Sequence, residues 1–342
     1  MIAERSWDIT AGQHFLRLVG FLPGIDTSVK LEGLNPAGSI KMKTARELVL
    51  DAEQRGLITP DTELIESTSG NLGIALAMIC AERGYRLTVV TDPNSTVDAI
   101  RHVRALGANV VVVRERDDHG GYLKVRIDFI HRRLAEEPSL LWLNQYANGA
   151  NISAHRKHTV SEILEGFGVP DWLFVGAGTT GTLMGCVEGL RMAGANTQVV
   201  AVDSIGSVTF GWPAATRRIP GLGTSRRPEI FTDDNSFVKV LIPEEDTIRM
   251  CRRIAQEHGL LLGGSSGTVL AGVMGMRERI NPGSTVLAIS ADQGDRYLDT
   301  VYDDAWVVRH FGTNTLTSYT QPPKAMILDQ LTVERKRVAS DA

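Results

Sequence analysis

Short β-branched runs alternate with helical stretches along most of this chain, and five of those stretches run into a glycine. That alternation constrains the fold more than any other feature. Candidate strands are Leu87–Thr91, Val110–Val113, Leu140–Asn144, Leu173–Gly176, Val199–Asp203 and Thr285–Ile289. Candidate helices are Thr44–Arg55, Asn71–Arg83, Ser95–Leu106, Thr182–Ala193, Glu244–His258 and Ser266–Arg277. Gly56, Gly84, Gly107, Gly194 and Gly259 follow the first five, as expected of left-handed C-caps. The strands read as nearly continuous apolar runs, which suits strands buried on both faces. Strand–helix alternation of this kind implies an α/β fold of mostly parallel sheets flanked by helices.

Two strand–helix series appear, before and after about residue 150, and 342 residues are enough for two units. The segment Ser204–Arg227 lacks periodicity and reads as a long loop, a place where function often resides. The tail after Phe311 carries Pro322-Pro323 and mixed charge, as an interface arm or a poorly ordered end would. A net charge of −4 gives no reason to expect nucleic acid, and no apolar run approaches a membrane span. The N-terminus lacks the apolar core of a signal peptide. Cys80, Cys186 and Cys251 are far apart and unpaired in spacing, which suits buried apolar roles in a reducing cytoplasm. The eight histidines show no ligand spacing, so no metal site is expected.

Four segments carry chemistry. The first, Asn35-Pro36-Ala37-Gly38-Ser39-Ile40-Lys41, sets a lysine after a turn and ahead of a helix. The second, Glu66-Ser67-Thr68-Ser69-Gly70-Asn71, opens the helix Asn71–Arg83. Small hydroxyl residues and glycine at a helix N-terminus expose N–H groups that suit a carboxylate, although an ordinary N-cap uses the same residues. The third, Gly176-Ala177-Gly178-Thr179-Thr180-Gly181-Thr182, follows a strand and suits a phosphate. A tight turn alone also fits; the glycines at 176, 178 and 181 also have the G-x-G-x-x-G spacing, but a dinucleotide fits less well because the loop lies mid-chain, far from a first βαβ unit. The fourth, Gly263-Gly264-Ser265-Ser266-Gly267, offers a serine that could meet a ring nitrogen or simply cap a helix. One cofactor needs a lysine amine, a phosphate cradle and a ring-nitrogen partner, with a carboxylate site for its amino-acid substrate. That cofactor is pyridoxal 5′-phosphate. A Ser-His-Asp hydrolase is not expected.

Together these motifs resemble the cysteine synthase/cystathionine β-synthase family of pyridoxal-phosphate enzymes, over roughly residues 15 to 308. The resemblance implies a fold-type II architecture of two α/β domains. Residues 1–35 and 151–320 would form a larger cofactor-phosphate-binding domain, 36–150 a smaller mobile substrate-carboxylate domain, and 321–342 a C-terminal tail. Lys41 falls on the Schiff-base lysine and Asn71 on the contact to the ring oxygen. Gly178, Thr179, Thr180, Gly181 and Thr182 fall on the phosphate loop, and Ser265 on the ring-nitrogen partner. Ser67, Thr68 and Ser69 match the loop that closes on the substrate carboxylate, with Gln145 as a second contact. A homodimer is implied.

Departures from the family bear on the substrate. Met42-Lys43 stands where sulfide users have Asp-Arg, Tyr146 where they have Phe, and Thr180-Gly181 where they have two glycines. The run Gly294–Tyr302 and the loop Gly206–Gly223 look like a branch that condenses O-phospho-L-serine with L-glutamate. Its product, N-(2-amino-2-carboxyethyl)-L-glutamate, is a precursor of 2,3-diaminopropionate for siderophores and peptide antibiotics. The alternatives are a cysteine synthase using O-acetyl- or O-phosphoserine and sulfide, and a non-catalytic cofactor-binding regulator. A phosphoserine substrate needs a second anion site, for which Arg126 and Tyr146 are the first candidates and Arg217 and Arg218 the next. A neutral Ser265 partner would leave the ring nitrogen largely unprotonated.

Overall fold

Two sheets, each flanked by helices, organise the chain. The structure is a computed structural model that describes residues 2–10, 12–68, 70–116, 121–317, 319 and 322–328. Its strands are β1 (Phe15–Arg17), β2 (Asp26–Leu31), β3 (Glu63–Ser67), β4 (Arg86–Thr91), β5 (Asn109–Val112), β6 (Leu140–Trp142), β7 (Trp172–Gly176), β8 (Gln198–Ser204), β9 (Val238–Ile242), β10 (Thr285–Ser290) and β11 (Met326–Leu328). Its α-helices are α1 (Lys41–Gln54), α2 (Asn71–Arg83), α3 (Val97–Ala105), α4 (Leu123–Glu136), α5 (Ala150–Ala154), α6 (Val160–Gly166), α7 (Gly181–Met192), α8 (Glu244–His258), α9 (Gly264–Gly275) and α10 (Asp304–Phe311).

The smaller sheet has the order β5-β4-β3-β6 and is parallel throughout. The larger has the order β1-β2-β10-β7-β8-β9-β11. Only its edge strands β1 and β11 run antiparallel. Both sheets bury both faces, which is why their strands lack polar alternation. In β7, Leu173 and Val175 pack with Leu183 and Cys186 of α7, whereas Phe174 packs with Val269 and Leu270 of α9. In β3, Leu64 packs with the α1–α2 layer and Ile65 with Ile130 of α4.

The glycine stops behave as anticipated: Gly56, Gly84, Gly107, Gly194 and Gly259 all have positive φ. Several boundaries differ. The helix after the lysine turn begins at Lys41 itself rather than at Thr44. The strand at Leu140 ends at Trp142, because Asn144 turns the chain with φ 50°. Helix α9 starts at Gly264 and stops at Gly275, ahead of the expected Ser266–Arg277.

Strands β1, β2, β3, β9 and β11 and helices α4, α5, α6 and α10 lie outside the candidates. Polar residues hide several of them. Strand β2 buries Lys30 within an ion-pair cluster, and α4 buries Arg126 between Leu123 and Ile127. A π-helical segment, His155–Thr159, joins α5 to α6. Most of 321–342 lies outside the described residues, but Met326–Leu328 adds the edge strand β11 beside β9. Among the described residues no helix is long and apolar enough to cross a membrane. The three cysteines are buried and unpaired, with burial pushing each thiol up to about 12.

Candidate active site

The site lies where the C-terminal ends of strands in both sheets face one another, the usual ligand position in open α/β sheets. One pocket is lined by Lys41, Thr68, Asn71, Arg126, Gln145 and Tyr146, and opposite them by Gly178, Thr179, Thr180, Thr182 and Ser265. The structure therefore gathers most of the residues read from sequence. Ser67 and Gly181 lie just behind the wall, and Ser69 lies outside the described residues.

The lysine turn is fixed locally. Asn35 Nδ2 donates to the carbonyls of Glu32 (2.7 Å) and Ser39 (2.9 Å), and its Oδ1 accepts from Ala37 N–H (3.0 Å). Ile40 N–H then donates to Ala291 O at 2.7 Å, which pins the start of α1 to the end of β10. Lys41 is thereby presented at the pocket. Burial lowers its ammonium from 10.5 to about 8, opposed by the negative charges of Asp292 and Glu66. An amine so tuned is a competent nucleophile and base near neutrality. Met42 and Lys43 do not line the pocket. Met42 is core, and Lys43 Nζ donates to Glu32 (2.9 Å) and Glu162 (2.5 Å) in a buried cluster with Lys30. This departure from the family pattern is absorbed by packing.

The β7–α7 turn is built for an anion. No side chain caps α7, so its first N–H groups stay open at the pocket. Thr180 holds a left-handed backbone (φ 67°), and its buried Oγ1 has no partner among the described residues. A non-glycine residue held this way, with an idle hydroxyl, marks a functional position. The turn is closed from below: Asn151 Nδ2 donates to Thr179 Oγ1 (3.0 Å) and to Gln145 O (2.8 Å). A Cβ on Gly181 would overlap that same carboxamide. His155 Nε2 sits 3.1 Å from Thr44 Oγ1 and 3.2 Å from Thr182 Oγ1, and burial keeps this imidazole well below its usual pKa, hence neutral.

The β3–α2 segment forms the facing wall. The helix N-cap is Gly70, which has no side chain with which to cap it. Gln145 Nε2 donates to Ser67 O at 3.1 Å, while Ser67 Oγ is buried without a partner among the described residues. Glu66 Oε1 accepts from Ser67 N–H (3.0 Å), its Oε2 is unpartnered among the described residues, and burial pushes its carboxyl up to about 8. Arg126 is 6 % exposed; Nη1 lies 3.4 Å from Asp92, and Nε has no partner among the described residues. Burial raises the Tyr146 hydroxyl, against the lowering effect of Arg126. Arg217 and Arg218 do not line the pocket. Arg217 Nη1 instead donates to Leu222 O (2.9 Å), and Arg218 is exposed. The long loop is held by Glu244, whose carboxylate accepts from the N–H groups of Arg218 (2.9 Å) and Ile219 (2.7 Å). Its segment 220–224 reaches the pocket.

Residues 16–292 match the family described as pyridoxal-phosphate dependent enzyme. The chain belongs to that family. Its cofactor is pyridoxal phosphate, and the residues present fit it: an open helix N-terminus with an idle Thr180 hydroxyl for the phosphate, and a depressed lysine amine across the pocket for the aldehyde. The chain is 39% identical over 312 residues to N-(2-amino-2-carboxyethyl)-L-glutamate synthase of Ralstonia nicotianae, covering 90% of this chain and 92% of that one. It is 42% identical over 285 residues to the synthase of the same name from Cupriavidus metallidurans, covering 82% and 83%. The crystal structure of a cysteine synthase from Entamoeba histolytica superimposes with a TM-score of 0.81 at 28% identity, covering 88% of this chain and 91% of that one. The protein is a fold-type II pyridoxal-phosphate enzyme of the β-replacement transferase class.

Sequence reading missed Asp292, Tyr297, Asn151, His155 and the role of Glu66. Tyr297 lines the pocket, and Asp292 lies behind it, accepting from Asn71 Nδ2 at 2.8 Å and Tyr297 Oη at 2.6 Å. The only signal in the sequence was the run Gly294–Tyr302, noted there without roles.

Proposed function

We propose that this enzyme replaces the phosphate of O-phospho-L-serine with the amine of L-glutamate, giving N-(2-amino-2-carboxyethyl)-L-glutamate. The Cβ–O bond to phosphate breaks, a Cβ–N bond to glutamate forms, and inorganic phosphate leaves. The product would supply 2,3-diaminopropionate for a siderophore or peptide antibiotic. Arg126 carries the reading: a buried guanidinium lines the substrate side of the pocket with Nε idle, apart from the cradle that fits the cofactor phosphate. A neutral acetyl leaving group gives no reason for it, whereas a phosphate does. The name shared by the two bacterial relatives supports glutamate as the nucleophile.

In this reading Lys41 holds the cofactor, with Gly178–Thr182 on its phosphate, Ser265 on its ring nitrogen and Asn71 on its ring oxygen. When bound, pyridoxal phosphate supplies the electron sink for charge left on Cα. Lys41 Nζ takes the α-proton and later returns it, a task suited to an amine titrating at about 8. Ser67, Thr68, Ser69 and Gln145 hold the substrate carboxylate, and Arg126 and Tyr146 hold the leaving phosphate. Residues 36–150 would move as the substrate-carboxylate domain against 1–35 and 151–320. We expect a cytoplasmic homodimer.

The test offers the purified holoenzyme O-phosphoserine or O-acetylserine, each with glutamate or with sulfide, and identifies the product by mass. The glutamate adduct from O-phosphoserine is expected. Product from sulfide alone would replace this reading with cysteine synthase.

A further inference from the structure

Asn71 is held at both ends of its side-chain amide. Its Nδ2 donates to Asp292 Oδ2 at 2.8 Å, and its Oδ1 accepts from Arg296 Nη1. A carboxylate only accepts and a guanidinium only donates, so this pair admits one orientation of the amide and excludes the flipped one. One N–H of Asn71 remains, and Asn71 lines the pocket.

The two gripping residues are themselves fixed. Asp292 also accepts from Tyr297 Oη (2.6 Å) and, at the longer distance of 3.5 Å, from Ser265 Oγ. A Cβ on Gly263 would overlap Asp292 Oδ1. Arg296 Nη2 donates to Ala37 O at 2.6 Å, in the turn that precedes Lys41, and a Cβ on Gly38 would come within 2.8 Å of that nitrogen. Asp292 precedes a short 3-10 turn, Gly294–Tyr297, and Arg296 lies within it, just after β10 of the larger sheet, whereas Asn71 opens α2 over the smaller sheet. The grip therefore spans the two halves of the site.

We propose that Asp292 and Arg296 are positioning residues that lock the amide of Asn71, so that it offers its free N–H to an acceptor oxygen of the cofactor. This rests on the assignment of the pocket to pyridoxal phosphate and of Asn71 to its ring oxygen. Neither residue needs to touch the cofactor. Their effect runs through Asn71, which makes it separable from a general loss of structure.

The test is a double-mutant cycle on the apoprotein reconstituted with pyridoxal 5′-phosphate, reading the cofactor dissociation constant and the position of its visible absorption band. Asp292→Asn and Arg296→Lys are made alone and with Asn71→Ala. Each single change is expected to weaken cofactor binding about tenfold, as for loss of one charge-assisted hydrogen bond, and to shift the band. Neither should add to the effect of Asn71→Ala, since in its absence there is no amide to hold. Full additivity in the Asn71→Ala background would overturn the proposal. So would unchanged affinity and spectrum in both single variants. If Asp292→Asn does not fold, the Arg296→Lys arm of the cycle decides alone. Lys41→Ala serves as the separate control: cofactor still covalently attached to that variant would sink the pocket assignment itself.

Discussion

The two walls of the pocket are made differently. The phosphate side is tight and mostly satisfied. Glycines at 176 and 181 leave no room for a side chain, since a Cβ would meet Leu222 at 2.6 Å or overlap Asn151, and Thr179 and Thr182 are bonded from below. Among the described residues, Thr180 Oγ1 is its one buried polar side-chain atom without a partner, beside the open N–H groups of α7. On and behind the facing wall, buried polar atoms lack partners among the described residues: Arg126 Nε on the pocket itself, and Glu66 Oε2, Ser67 Oγ and Asn144 Oδ1 outside its lining. Buried polar atoms are rarely left unpaired without cause. In the proposed reading, the difference is that between a seat for a resident group and a surface for a transient one.

Lys41, at the seam, tests the contrast most severely. Lys41→Ala should abolish covalent cofactor retention and lower turnover by at least about 10³-fold, because both attachment and proton transfer are lost. Absorbance after denaturation and desalting reads the first, and product formation the second. The tight side predicts that Gly181→Ala raises the cofactor dissociation constant by up to about 100-fold, as overpacking against Asn151 would. Titrating the apoprotein reads this, and normal affinity would show that the cradle can yield. The facing wall predicts the converse for Arg126→Ala: KM for O-phosphoserine rises about 10- to 100-fold while cofactor affinity holds. A loss of cofactor affinity instead would erase the distinction between the walls.

The smallest effect is on stability. The Glu66 carboxyl, pushed from 4.5 to about 8, stays protonated in the fold where the unfolded chain has released its proton. Stability from this group is therefore full below the lower value and falls as pH rises toward the upper one. Denaturant unfolding at pH ~5 and ~8 should show Glu66→Gln losing less stability across the interval than the natural protein. Parallel behaviour of the two would mean that Glu66 ionises normally.

Local segments were legible in the sequence. The lysine turn, the β3–α2 run and the β7–α7 turn each place their functional groups within a few residues, so turn chemistry and helix N-termini announce them. The strand pattern likewise reported burial on both faces, and with it the parallel sheets. The rest depends on residues far apart in the chain. Asp292 and Arg296 act on Asn71 across more than two hundred residues, and nothing near Asn151 shows that its amide supports both Thr179 and Gln145. Helix α4 escaped because Arg126 occupies a buried position in an otherwise apolar stripe, where it lines the pocket and pairs with Asp92. Lys43 stands beside the key lysine in sequence, yet it packs away from the pocket, in the ion-pair cluster with Glu32 and Glu162.

The order of strands in the larger sheet also bears on how the chain emerges from the ribosome. Asp26 of β2 pairs with Thr285 of β10, so β2 waits for a partner made much later. Every strand of the smaller sheet, by contrast, has been made once Trp142 is out. The smaller half can fold first, while β1 and β2 remain a hairpin with one open edge. The phosphate cradle, with β7 next to β10, becomes complete only when β10 arrives. Newly made chains should therefore acquire cofactor late, after the substrate wall already exists.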